Sequence, residues 1–167
     1  MTTSAEQGQA ADSIEVALKK FPRVQLCHLP TPLDYLPRLS EYLGGPGIYL
    51  KRDDCTGLGT GGNKARKLEF VMADALRQQA DWVITLGAVQ SNHARQTAAA
   101  AARLGLGCTL LSQHRVAISD NDYLRSGNVY LDELFGATIH DLPADADMEL
   151  ELERAAGALK KRGKTPY

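Results

Sequence analysis

Apolar positions along the chain follow first one period and then another. Over residues 64–79 they fall at 68, 71, 72, 75 and 76, the spacing of one helix face. Residues 82–86 form a short, partly β-branched apolar run, which predicts a buried strand. A helix follows over 91–104, containing five consecutive alanines (98–102), and a second strand over 108–111. Residues 128–135 predict a helix, 137–140 a strand, and 147–162 a charged surface helix whose early acids suit the positive end of the helix dipole. Strands alternating with helices of this length predict right-handed βαβ units, hence an α/β fold with an open parallel sheet and flanking helices.

The first third reads differently. Residues 1–20 are rich in Ser, Thr, Gln and Ala, a polar arm turning into a short helix at 13–20. Pro22, Pro30 and Pro32 keep residues 21–35 extended, because proline fixes φ and lacks the N–H a helix needs. A short amphipathic helix is predicted at 36–43, stopped by Gly44-Gly45-Pro46-Gly47, then a strand at 48–52 and a glycine-rich loop at 53–62. At the other end, Gly163-Lys164-Thr165-Pro166-Tyr167 has turn chemistry leading into the strand due next, with Tyr167 as its first residue. A parallel sheet lacking that strand would expose an edge, so a further part of the protein is expected.

Composition narrows the classes. The chain has 167 residues, with 19 Lys+Arg against 20 Asp+Glu and a net charge of −1, which argues against a nucleic-acid partner. No apolar run approaches the roughly 20 residues that span a bilayer, and the polar start lacks the order of a secretory signal. Cys27, Cys55 and Cys108 are too widely spaced for a disulfide framework or a metal knuckle, and His28, His114 and His140 have no partner at metal spacing. A cytoplasmic protein with no metal, no nucleic acid and no membrane partner is the expectation.

Two clusters carry candidate chemistry. The first is Thr56-Gly57-Leu58-Gly59-Thr60-Gly61-Gly62-Asn63-Lys64. A phosphate-binding P-loop fails here, because Ala65 stands where a magnesium-binding Ser or Thr is needed. GxGxxG is matched by Gly57, Gly59 and Gly62, yet the next strand ends Leu86-Gly87-Ala88, with no acid for a ribose. A plain glycine turn with a surface lysine also fits. A third reading uses every residue: Gly61 and Gly62 admit close approach of a ring or phosphate, and Lys64 falls in the first turn of a helix. The partial positive charge there favours the neutral, nucleophilic form of an amine, as a Schiff base with an aldehyde cofactor requires. Lys67, one turn on, would add to that bias or hold an anion.

The second cluster, Gly87-Ala88-Val89-Gln90-Ser91-Asn92-His93-Ala94-Arg95-Gln96, joins a strand end to a helix start, where α/β sheets place their ligands. Ser91 and Asn92 are both good helix caps, and one cap suffices. Gln, Ser, Asn and His together offer several donors beside free helix N–H groups, which suits a substrate carboxylate.

Gly61-Gly62-Asn63-Lys64-Ala65-Arg66-Lys67-Leu68-Glu69-Phe70 together with Gln90-Ser91-Asn92-His93-Ala94-Arg95-Gln96-Thr97-Ala98-Ala99 resembles the aminocyclopropane-carboxylate deaminase and D-cysteine desulfhydrase family. These are fold-type-II pyridoxal-phosphate enzymes, built like the tryptophan-synthase β chain. Leu29-Pro30-Thr31-Pro32-Leu33, Lys51-Arg52-Asp53-Asp54 and Ser126-Gly127-Asn128-Val129-Tyr130-Leu131-Asp132 extend the likeness. Cys55-Thr56-Gly57-Leu58 and His93 look closer to the D-cysteine desulfhydrases and L-cysteate sulfo-lyases than to the cyclopropane deaminases.

The resemblance implies roles. Lys64 would carry pyridoxal 5′-phosphate and shuttle the Cα proton; Asn92 would bond the cofactor's phenolic oxygen; Asn63 and Lys67 would lie near its phosphate. Ser91, Asn92 and His93 would receive the substrate carboxylate, with Ser91 close to the reacting carbons. The implied reaction is β-elimination from a small sulfur amino acid, giving pyruvate, ammonia and either sulfide or sulfite. The alternatives are a 1-aminocyclopropane-1-carboxylate deaminase and a truncated, inactive product. It also implies a homodimer, and a division in which 21–66 are a strip of the large cofactor domain, 67–163 a small α/β domain and 164–167 the return to the large domain. The family's phosphate loop and pyridine-nitrogen partner lie beyond residue 167, so weak cofactor binding and little turnover are expected of a chain that stops there.

Overall fold

The fold comes from a computed structural model that describes residues 13–167; of the arm expected at 1–20, residues 1–12 lie outside the described residues. Helix α1 covers residues 13–18. After an extended stretch, β1 (Leu33–Tyr35) pairs antiparallel with β2 (Tyr49–Lys51), Leu33 opposite Lys51 and Tyr35 opposite Tyr49. Helix α2 (Pro37–Leu43) joins them and ends at Gly44, which takes the left-handed conformation at φ +61. The glycine loop forms two short 3-10 turns, Asp53–Thr56 and Leu58–Thr60, before α3 (Lys64–Arg77) begins.

The remaining elements are β3 (Trp82–Ala88), α4 (Asn92–Leu104), β4 (Gly107–Gln113), α5 (Asn121–Arg125), α6 (Asn128–Leu134), β5 (Thr138–Leu142) and α7 (Met148–Lys161). The three strands form a parallel sheet in the order β3-β4-β5, with Trp82 opposite Gly107 and Thr109 opposite Thr138. β4 is buried at every residue from Cys108 to Gln113, so both of its faces are covered, and α4 and α7 both pack on it. Helix α7 carries its own start signal: the Asp147 carboxylate accepts from the N–H groups of Glu149 and Leu150, and Lys160 and Lys161 sit in the last turn.

The core lies where α3 and α4 meet the sheet. Leu68 and Met72 of α3, Ala98, Ala100 and Ala101 of α4, and Val83, Cys108 and Leu110 of the strands are almost wholly buried. Along α3's second edge the Glu69 carboxylate, 1% exposed, accepts the N–H groups of Leu26 and Cys27 at 2.9 and 2.8 Å and pairs with Arg23. Residues 23–27 are thereby fastened to the helix that carries Lys64.

A fourth parallel element begins beside β3. Pro166 bridges Trp82, the Tyr167 N–H donates to the Trp82 carbonyl at 2.9 Å, and the Ile84 N–H donates to the Tyr167 carbonyl at 3.0 Å. This is the position predicted for the next strand. Helix α5 has no counterpart in the sequence prediction.

Candidate functional site

The loop before Lys64 is organised by a hydroxyl. Thr56 is fully buried, and its Oγ1 accepts the Gly62 N–H at 2.9 Å while lying 2.9 Å from the Gly62 carbonyl and 3.0 Å from that of Asp53. That closure brings backbone against backbone. A Cβ on Gly61, at φ +81, would stand 1.8 Å from the Asp54 carbonyl, and one on Gly62, at φ +133, 2.3 Å from Gln96 Nε2. No other residue fits at these two positions. Arg95 clamps the outer side, donating from Nη1 to Thr60 Oγ1 at 2.9 Å and from Nη2 to the Gly61 carbonyl at 2.8 Å.

Helix α3 starts without a side-chain cap from Asn63. Instead, the Ala65 N–H donates to Gln96 Oε1 at 2.8 Å, and Gln96 Nε2 donates to the Asn92 carbonyl at 3.1 Å. One buried amide thus joins the first turns of α3 and α4, and with them the two sequence clusters. Lys64 is half-buried beside this link, its Nζ donating to Asn63 Oδ1 at 3.0 Å, and Lys67 is exposed one turn on.

On α4, Ser91 is the cap: its Oγ accepts the Ala94 N–H at 3.2 Å, which leaves the hydroxyl hydrogen free to donate. The Asn92 side chain is exposed, and its Oδ1 accepts from Asn128 Nδ2 at 3.1 Å. The His93 ring turns inward, with Nε2 3.0 Å from Thr85 Oγ1 and a buried Nδ1 that has no hydrogen-bond partner. Burial holds this imidazole below the ordinary histidine range, and the positive charges of Lys67 and Lys64 push it the same way. The structure therefore brings Lys64, Lys67, Asn92 and His93 into one neighbourhood, with Asn63 and Ser91 at its edges.

Gln90 departs from the sequence reading. It is not among the donors free for a ligand: Nε2 bonds the carbonyls of Tyr123 and Ser126 at 2.6 and 2.9 Å, and Oε1 accepts the Asn128 N–H at 2.9 Å. Gln90 anchors the segment that carries Asn128 instead. Asp53 and Asp54 are likewise structural. Asp53 forms a two-pronged pair with Arg66, whose bonds hold its carboxyl below the usual range, and Asp54 pairs with Arg52. Cys55 is a free, exposed thiol. The positioning roles of Gln96, Arg95 and Thr56 were not predicted; the signal for Gln96 is a large amide among alanines on a helix face that must be buried.

Among the described residues no group of three or more His, Cys, Asp and Glu side chains is arranged to hold a metal ion, and no helix is long and apolar enough to cross a membrane.

Comparison with known proteins places this geometry. A D-cysteine desulfhydrase of Salmonella paratyphi B (strain ATCC BAA-1250 / SPB7) is 51% identical over 150 residues, covering 90% of this chain and 45% of that protein. A crystal structure of an ACC deaminase homologue matches with a TM-score of 0.80 and 45% identity, over 92% of this chain and 46% of that one. A pyridoxal 5′-phosphate-dependent aspartate racemase structure, at TM-score 0.58 and 21% identity over 94% of this chain and 43% of that one, shares the fold. The chain spans less than half the length of these relatives. Residues 24–167 match the model of the family described as pyridoxal-phosphate dependent enzyme, and the chain belongs to that family, with its fold-type-II α/β architecture.

Proposed function

We propose that the first turns of α3 and α4 bind pyridoxal 5′-phosphate and a small sulfur amino acid, and that the chain serves β-elimination: D-cysteine to pyruvate, ammonia and sulfide, or L-cysteate to pyruvate, ammonia and sulfite. The observation that carries this reading is the Gln96 link, which sets the Lys64 amine beside the Asn92–His93 turn. The residues suit the cofactor. A half-buried primary amine, two amides and a hydroxyl are the donor set it calls for, and the orphaned, buried Nδ1 of His93 lies within reach of the lysine charges.

Bound here, pyridoxal phosphate would supply an electron sink that acidifies the substrate Cα–H and lets a β-sulfur group leave. Lys64 Nζ would hold its aldehyde carbon and later carry the Cα proton. Asn92 Nδ2 would donate to the phenolic oxygen, oriented by Asn128 on Oδ1. Lys67 and Asn63 would face the phosphate. The free Ser91 hydroxyl hydrogen, the α4 N–H groups and His93 would seat the substrate carboxylate.

The wider reading assigns 21–66 to a cofactor domain, 67–163 to a small domain and 164–167 to the return between them, in a cytoplasmic homodimer. Treating the 167-residue chain with pyridoxal phosphate, reducing with borohydride and mapping peptides is expected to label Lys64, and Lys64→Ala to lose the label. Label spread evenly over the lysines, or absent from Lys64, overturns the proposal. The ACC deaminase homologue supports a second reading, ring opening of 1-aminocyclopropane-1-carboxylate. Release of 2-oxobutanoate from that substrate, rather than pyruvate from D-cysteine or L-cysteate, selects it.

A further inference from the structure

A second cavity, of about 450 Å³, opens at the carboxyl ends of the three parallel strands beneath α5 and α6. Lys64, Asn92 and His93 are not part of it. Its lining is mixed: Leu124, Val129 and Ile139 contribute half-buried apolar side chains, and Ser112, His114, Arg125, Glu133 and Asp141 contribute polar ones. Into these walls α6 sets the Asp132 carboxylate, 3% exposed, with a buried Oδ1 that has no hydrogen-bond partner. A buried carboxylate oxygen without a donor is costly, by roughly 1–3 kcal/mol or more for a charged group.

The surroundings do not relieve it. Arg95 of α4 attracts Asp132, yet its two outer nitrogens are bonded to Thr60 and Gly61, and its buried Nε has no hydrogen-bond partner. Cys108 of β4 offers a thiol that burial keeps protonated. At the rim His114 pairs with Asp141 at 3.1 Å, leaving Arg125 of α5 and Glu133 of α6 as the remaining charges. Burial therefore outweighs the Arg95 attraction and pushes the Asp132 carboxyl up to about 7.

We propose that this cavity is a binding site for a small primary ammonium compound with a short apolar body, whose charge is received by Asp132 and whose carbons lie on Leu124, Val129 and Ile139. An anion is excluded by the sign of the buried group. A metal ion is not favoured, since among the described residues no group of three or more His, Cys, Asp and Glu side chains is arranged to hold one. An organic ammonium brings three N–H donors to the carboxylate and carbons to Leu124, Val129 and Ile139. The cavity borders the proposed lyase site through Gly87, Ala88 and Ala94 but holds none of Lys64, Asn92 and His93, so binding there is read without cofactor or turnover.

The test is titration of the 167-residue chain with butylammonium, with 1-butanol as the uncharged counterpart and norvaline as the amino-acid form, followed by calorimetry and by the ¹³C carboxyl resonance of Asp132. Butylammonium or norvaline is expected to bind at least tenfold more tightly than butanol, and the tighter of the two identifies a simple amine or an amino acid as the source. Affinity is expected to rise about tenfold from pH 6 to pH 8 as Asp132 ionises, and saturating ligand to lower the Asp132 midpoint. Asp132→Asn removes the pH dependence, while Val129→Trp, which leaves the carboxylate in place and fills the cavity, blocks all three compounds. Equal affinity for butanol and butylammonium, or an Asp132 resonance whose titration saturating ligand does not move, overturns the proposal.

Discussion

Gln96 Oε1 lies 2.8 Å from the Ala65 nitrogen, across 31 residues of sequence, and accepts its N–H. The same amide donates to Asn92 from Nε2, so one side chain sets the distance between the two halves of the site. Gln96→Ala leaves the buried Ala65 N–H unpaired, a loss of about 1–3 kcal/mol. Urea unfolding reads that loss. Gln96→Glu keeps the acceptor for Ala65 but buries a charge and turns an oxygen toward the Asn92 carbonyl, and is expected to be at least as destabilising at neutral pH.

Gly61→Ala is expected to disrupt the loop, because its Cβ would meet backbone 1.8 Å away at φ +81. Gly44→Ala is the control: φ is +61 but nothing lies within 4 Å, so only the left-handed conformation is penalised, by about 1 kcal/mol. Thermal unfolding of the two variants separates steric overlap from conformational preference.

Two buried acids drive stability in opposite directions with pH. Burial opposes ionisation of Glu69, but the N–H groups of Cys27 and Leu26 and the Arg23 charge prevail and hold its carboxyl below its ordinary 4.5. Its stabilisation is complete above that value and is lost as pH falls through the lower folded one. Asp132, raised from 3.8 to about 7, binds its proton more tightly in the folded state, so stability declines as pH rises across that window. Unfolding measured from pH 3 to 9 is expected to show both arms. Glu69→Gln flattens the rise at the acid end, and Asp132→Asn the fall between 3.8 and about 7.

The His93 ring reports the approach of the lysines. By NMR its midpoint is expected below the ordinary 6.5, and Lys67→Ala to move it back upward, because a repelling positive charge is removed. Lys64→Ala adds a smaller step in the same direction. A His93 midpoint insensitive to both substitutions contradicts the neighbourhood described for α3 and α4.

Much of this was legible in the sequence, and what was not has common causes. α3, β3 and α4 each carry a sustained period, and their bounds differ from the predicted ones by only a few residues. Helix α5 escaped prediction because its five residues bury nothing, and the only local sign of it is the Asp120 cap. β4 runs two residues further than expected because Ser112 and Gln113 are polar but buried, Gln113 Nε2 reaching the Ala144 carbonyl at 2.9 Å. Lys64, Asn92 and His93 stand out by residue type in a pattern. Gln96, Gln90 and Arg95 do not, since their partners lie more than 30 residues away and only folding brings them near.

The alanine run of α4 has a wider consequence. Ala98, Ala100 and Ala101 are completely enclosed, and α3 packs alongside them. Ala100, one turn after Gln96 and so on the side of α4 that meets α3, acts as a spacer of fixed thickness between two rods, one tipped by Lys64 and the other by Asn92. A single Ala100→Val exchange would widen that gauge, shifting the reach from amine to amide without altering either reactive side chain. Volume hidden several turns away is thus a dial for adjusting the mouth.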